Sequence, residues 1–206
     1  MVLALAVAGS ADLSAHRTDE YLQAARLAID PGRVHIELDL TPGIALAGTI
    51  LADIDRDRDG SLSAEEQRAY GVLVLSALTL EVDGTPVRAQ LATTSFPEAE
   101  AIRRGEGTIR LQSAANLPGV SSGVHQLLFR NRHHPDRSVY LANALLPEST
   151  RVSVTAQRRD VDQTEFTIDY IVRAAPPGPR AAWLLGLIAG AAVLSALMMR
   201  PLRSLR

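Results

Sequence analysis

Between residues 55 and 66 three aspartates alternate with two arginines and run into a glycine, two serines and a glutamate: Asp55-Arg56-Asp57-Arg58-Asp59-Gly60-Ser61-Leu62-Ser63-Ala64-Glu65-Glu66. Alternate residues of a tight loop aim their side chains at one point. Asp55, Asp57 and Asp59 can therefore present three carboxylates to a hard cation that takes roughly six to eight oxygens. Such a loop must bend sharply after its third aspartate, and Gly60 bends there without a steric cost. In this spacing Ser61 offers a backbone carbonyl, Ser63 holds a bridging water, and Glu66 closes the sphere with two carboxylate oxygens. The chemistry expected is calcium binding, with Asp55, Asp57, Asp59, Ser61, Ser63 and Glu66 as the metal ligands and Ca2+ as the cofactor. Arg56 and Arg58 fall between ligands and point outward, where their charge weakens the site, so a modest affinity is expected.

Other reactive chemistry is sparse. The chain has no cysteine, which excludes a disulfide framework, a thiolate metal site and a thiol nucleophile. Its five histidines, at 16, 35, 125, 133 and 134, show neither the helical i, i+4 spacing nor the His-Glu pairing of a zinc hydrolase. His133-His134-Pro135-Asp136 is a polar loop whose imidazoles suit nickel or copper, giving a transition-metal alternative. His16 would add an amine to an imidazole if it became the mature N-terminus. No nucleophile elbow, phosphate-cradling loop or dinucleotide fingerprint occurs, and Asp160, Asp162 and Glu165 read as a solvated hairpin end, so no enzyme is expected. A formal net charge of −2, a pI near 6.2 and few aromatics offer nothing to phosphates or bases, so nucleic acid is not an expected partner. All 21 basic residues are arginine, as in a GC-rich bacterial gene.

Two helices must hold the loop. Ile44, Leu46, Ile50, Leu51 and Ile54 mark the apolar side of an incoming helix. Ser63 is the N-cap of an outgoing one, with Glu65 and Glu66 in its first turn and Tyr70, Leu73, Val74 and Ala77 on its buried face. Around this pair the pattern is that of strands: Glu20–Ile29, Arg33–Leu40, Thr79–Val82, Val87–Thr94, Thr108–Gln112, Val124–Arg130, Val139–Leu145, Arg151–Gln157 and Glu165–Val172. Asp30-Pro31-Gly32 and Asp83-Gly84 are turn signals that make hairpins of their flanking strands. The fold class expected is mainly β with an inserted helix-loop-helix. A β-sandwich would carry the insertion, at about residues 43–78, between its second and third strands.

With its flanks, the segment Gly43 to Ala77 resembles the EF-hand family. That resemblance implies calcium binding by the six ligands named above, through a single loop where such units usually pair. In a pair, Leu62 would meet the partner loop; here it must meet the sandwich, another subunit or nothing. His16-Arg-Thr-Asp-Glu-Tyr-Leu-Gln23, Asp39-Leu-Thr-Pro-Gly43 and Phe129-Arg-Asn131 are also similar to the extracytoplasmic domain of hydrogenase and urease accessory proteins of the nickel-permease type. Those proteins continue into several membrane helices, and one such run is present here, so transport is not implied.

The ends read as targeting. Met1 to Ala8 is an apolar run followed by small residues, the pattern of a signal peptide over 1–15, although no Lys or Arg precedes it. Ala181 to Met199 carries no charge and as a helix spans about 28 Å, the thickness of a bilayer core. Trp183 at one end and Arg200, Arg203 and Arg206 beyond the other orient a transmembrane helix with its C-terminus cytoplasmic. The proline-rich linker 174–180 would separate this anchor from an extracytoplasmic domain over 16–173. The expectation is a single-pass, periplasmic or cell-surface binding module, with a protein partner that the sequence does not identify.

Overall fold

Strict alternation shapes the first hairpin, β1 (Tyr21–Asp30) and β2 (Arg33–Pro42). Tyr21, Gln23, Ala25, Leu27 and Ile29 point inward from β1, and Val34, Ile36, Leu38 and Leu40 from β2. On the outer face Arg26 lies opposite Glu37 and donates to it at 3.0 Å and to Asp39 at 2.9 Å. Opposite charges across strands fix this register, since a one-residue slip would bring the charges inward.

The computed structural model describes residues 19–117 and 120–175. After the hairpin come α1 (Ile44–Ile54), α2 (Ala64–Ser76), β3 (Leu78–Val82), β4 (Thr85–Val87), β5 (Gln90–Ser95) and α3 (Ala99–Arg103). The remaining strands are β6 (Ile109–Asn116), β7 (Gly123–Asn131), β8 (Ser138–Ala144), β9 (Val152–Arg159) and β10 (Glu165–Val172). The protein is mainly β, its strands forming two five-stranded sheets, β5-β6-β2-β1-β8 and β4-β3-β7-β10-β9. Every neighbouring pair is antiparallel except β1 and β8. Buried side chains from both sheets, among them Leu27, Ile36, Leu80, Phe129, Phe166 and Ile168, form one apolar cluster with Ile50 and Ile54 of α1 and Tyr70 and Val74 of α2.

The helix-loop-helix lies between β2 and β3, as expected, and is also the crossing by which the chain passes from the first sheet to the second. Both expected hairpins form. The expected strand Val87–Thr94 divides. Its first residue belongs to β4 of the second sheet and its last five to β5 of the first, with Arg88 and Ala89 crossing between them. No turn residue marks that crossing. The short helix α3 replaces what reads as loop: Gly105, at φ +70°, ends it, with the Gly105 and Glu106 amides donating to the Ile102 and Ala101 carbonyls. Ile102 is fully buried, and α3 packs against α1.

The candidate signal over 1–15, most of the linker 174–180, the apolar run 181–199 and the tail 200–206 lie outside the described residues. Among the described residues no helix is long and apolar enough to cross a membrane.

Candidate metal centre

Both ends of the loop are fixed by burial and by caps. Ile54, fully buried, is the last residue of α1, and Asp55 is its C-cap, with its amide donating to the Leu51 carbonyl at 2.8 Å. At the other end Ser63 caps α2: its Oγ accepts from the Glu66 amide while Glu66 Oε2 accepts from the Ser63 amide at 3.0 Å. This reciprocal box satisfies amides that the first turn of a helix leaves unpaired. The buried stripe of α2 is Tyr70, Gly71 and Val74, not the expected set, and Leu73 is 41% exposed. The helix turns Gly71 toward β5, where a Cβ would stand 2.8 Å from Leu91 Cδ2. A glycine allows this approach, and a side chain there would force Leu91 to shift.

Between the caps the loop is tied to its own carboxylates. The Gly60 amide donates to Asp55 Oδ2 at 3.1 Å, the Asp59 amide to Asp57 Oδ1 at 3.2 Å, and the Ser61 amide to Asp59 Oδ1 at 2.7 Å. Gly60 takes the bend at φ +84°. One oxygen from each of Asp55, Asp57 and Asp59 lies within 4.8 Å of the others. Asp55 is only 9% exposed, and its Oδ1 is buried without a hydrogen bond among the described residues. A buried carboxylate oxygen with no donor is costly to fold around unless a cation compensates it. That atom fits a hard metal ion.

Glu66 is not in this group of three. Its Oε1 accepts from the Arg56 amide at 2.8 Å and its Oε2 from the Ser63 hydroxyl at 2.7 Å, so one carboxylate joins the first and last turns of the loop. The Ser63 hydroxyl and amide, with the Arg56 amide, hold this carboxyl below its usual pKa and keep it ionised. To ligate a metal with both oxygens it must exchange these bonds for the ion. Ser63 Oγ faces Glu66, and Ser61 meets the loop through its amide. Arg56 and Arg58 are exposed, as expected, and Arg58 is left-handed at φ +62°. Leu62 is half-buried and packs against the apolar cluster of the domain, while Gln67 holds its carbonyl at 2.9 Å.

No protein-family model, curated protein or solved structure matches this chain. The chemistry of the loop follows from its own geometry: three convergent carboxylates, one of them buried, on a frame pinned by two helices.

The histidine pair has a different setting from the polar loop expected. His133 and His134 lie on the connection from β7 to β8, where the chain crosses between sheets. His133 is buried at 5% exposure, and its Nε2 meets the Tyr70 hydroxyl at 3.1 Å, which in turn meets the Tyr21 hydroxyl at 2.8 Å. The His133 carbonyl accepts from Gln23, Ser138 and Tyr140, and its amide donates to Asn131. Burial, then the neighbouring His134, push the His133 imidazole down to about 4, so it is neutral at pH 7. His134 Nε2 lies 3.3 Å from Asp53 Oδ2 on α1 without a hydrogen bond to it. One loop thus touches both helices that flank the aspartate loop. Besides its near neighbours Asn131, Ser138 and Tyr140, the loop is held by residues distant in sequence, Tyr21, Gln23 and Tyr70, which hides the network from local pattern, although Gln23 at an inward position of β1 is a visible sign.

His125 pairs with Asp83 at 2.7 Å and with the Ser121 carbonyl at 2.9 Å, closing the β3–β4 turn onto β7. His35 is exposed, and Asp160 accepts from Thr164 and the Glu165 amide at the β9–β10 turn.

Proposed function

We propose that this chain binds one calcium ion through the loop Asp55–Glu66, and that the two sheets stack as a β-sandwich that holds the loop outside the cytoplasm on a single-pass membrane anchor. The observation that carries the calcium reading is the buried Asp55 oxygen without a donor, within 4.8 Å of oxygens from Asp57 and Asp59. Asp55, Asp57 and Asp59 would supply the carboxylates, Ser61 its carbonyl and Ser63 a bridging water. Glu66 would move from its cap to close the sphere. Bound calcium neutralises carboxylates that otherwise repel one another and clamps α1 to α2. The chain is then a binding or scaffold module and not an enzyme, in keeping with its resemblance to EF-hand proteins. Extracytoplasmic calcium modules work at dissociation constants of about 10⁻⁴ to 10⁻³ M, so such a site stays filled where calcium is abundant and stabilises the domain.

One observation favours transition-metal handling as a second reading. His134 Nε2 is buried, lacks a hydrogen bond and faces the Asp53 carboxylate, a nitrogen–oxygen pair that suits nickel or copper. Calcium ranks first because the His133 ring is already engaged by Tyr70.

The test is calorimetric titration of the metal-stripped full chain with calcium, magnesium, nickel and copper in separate runs. One calcium per chain, lost in Glu66→Gln, supports the first reading. Silence toward calcium together with nickel or copper binding that His134→Ala abolishes replaces it with the second.

A further inference from the structure

A cavity of about 610 Å³ opens beside α2, and both sheets contribute to its wall. Ile36 of β2 and Leu80 of β3 form part of its lining and are 1% and 4% exposed, so the cavity reaches the apolar core. Val72 and Leu75 of α2 line it nearer the surface, with Val72 52% exposed. Two arginines complete the setting, Arg68 on α2 and Arg88 on the crossing from β4 to β5, and both are exposed. Among the described residues neither guanidinium has a hydrogen bond or an ion pair. Most of the other arginines described in detail are engaged: Arg26, Arg130, Arg137 and Arg158 all hold carboxylates.

A cavity lined mostly by apolar residues with a few polar ones among them is the usual form of a small-molecule site, and this volume lies within the roughly 300 to 1,000 Å³ common for one. Two exposed, free guanidiniums in the lining select an anion that accepts bidentate hydrogen bonds, a carboxylate or a phosphate monoester. The apolar depth selects a hydrocarbon chain attached to it. We propose that this cavity binds an anionic amphiphile with a single alkyl chain, its head group held by Arg68 and Arg88 and its chain laid along Val72 and Leu75 toward Ile36 and Leu80. The assignment is independent of calcium at the loop, because no aspartate of the loop lines the cavity.

The full chain in nanodiscs of zwitterionic lipid is titrated with carboxyl-labelled dodecanoate, with dodecyl phosphate and with uncharged dodecanol, and empty nanodiscs are the blank. The result expected is saturable binding of an anionic probe at one per chain. Dodecanol should bind at least tenfold more weakly, as should the preferred anion when tested on Arg68→Gln/Arg88→Gln. Ala89→Trp, which fills the cavity, should abolish binding. The tighter of the two anions tells a free fatty acid from a phosphate-bearing lipid. Uptake no greater than by empty nanodiscs, equal binding of dodecanol, or binding indifferent to the double arginine variant overturns the proposal. The arginine variant changes only exposed side chains, so the outcome stands even if Ala89→Trp fails to fold. Calcium titration of the same samples reports separately on the loop.

Discussion

At the scale of single residues the loop contains two positions whose chemistry can be separated from its folding. Glu66 caps α2 and is also the proposed closing ligand, and glutamine serves the cap as well as glutamate does. Glu66→Gln keeps the cap through its one carbonyl oxygen but loses the acceptor that meets the Arg56 amide, so the unfolding midpoint of the metal-free protein falls slightly, while calcium affinity falls at least about tenfold, the loss of one charged bidentate ligand. Thermal unfolding in chelator and calorimetry with calcium measure the two effects. Arg58 is the opposite case. It holds a left-handed backbone at φ +62°, which costs a residue with a side chain about 1 kcal/mol, and its charge opposes the cation. Arg58→Gly removes both penalties, and calcium should bind several-fold more tightly in the same titration. The ligand spacing is visible in the sequence because it depends on local geometry alone. The engagement of Glu66 with Ser63 and Arg56 is not, because a carboxylate can serve as cap or as ligand and the spacing suits both.

At the scale of elements the incoming helix depends on a neighbour that the sequence does not announce. α3 has five residues, too few for a periodic pattern, and its contribution is the buried Ile102 set against α1. Gly105 ends α3 at φ +70°, and a Cβ there would stand 3.1 Å from the Ile44 amide nitrogen, at the first turn of α1. Gly105→Ala is expected to destabilise the domain by about 1–2 kcal/mol, through left-handed strain and displacement of α1. Urea unfolding in chelator measures that loss. The same substitution at Gly32, with open space around its Cβ and no left-handed backbone, is the control and should cost little. β1, β2 and their turn are legible because alternation and a turn signal coincide. β4 and β5 read as one strand because Arg88 and Ala89 carry no turn chemistry, and only the pairing of each half shows that they belong to different sheets.

At the scale of the molecule, the β7–β8 crossing ties β1, α1 and α2 together through His133 and His134, and this gives acid stability a specific origin. The His133 imidazole titrates near its ordinary 6.5 in the unfolded chain and at about 4 in the fold. Between those values the unfolded chain binds more protons, so stability falls as pH drops from about 6.5 to 4 and then levels. The loss attached to this one buried group reaches about 3 kcal/mol. His133→Asn should be less stable at pH 7, where it lacks the ring that meets Tyr70, and should lose correspondingly less on acidification; unfolding free energies at pH 7 and 4.5 give the comparison. The burial of His133 was not legible locally, since Tyr70 and Gln23, distant in sequence, complete its surroundings. Leu62, finally, rests on the core of its own domain where a second loop would stand in a paired arrangement. A loop braced in this way meets no twin among the described residues, so the calcium proposed for it would fill it along a simple hyperbola, with no threshold. A site of that kind would follow calcium concentration gradually rather than switch at one level.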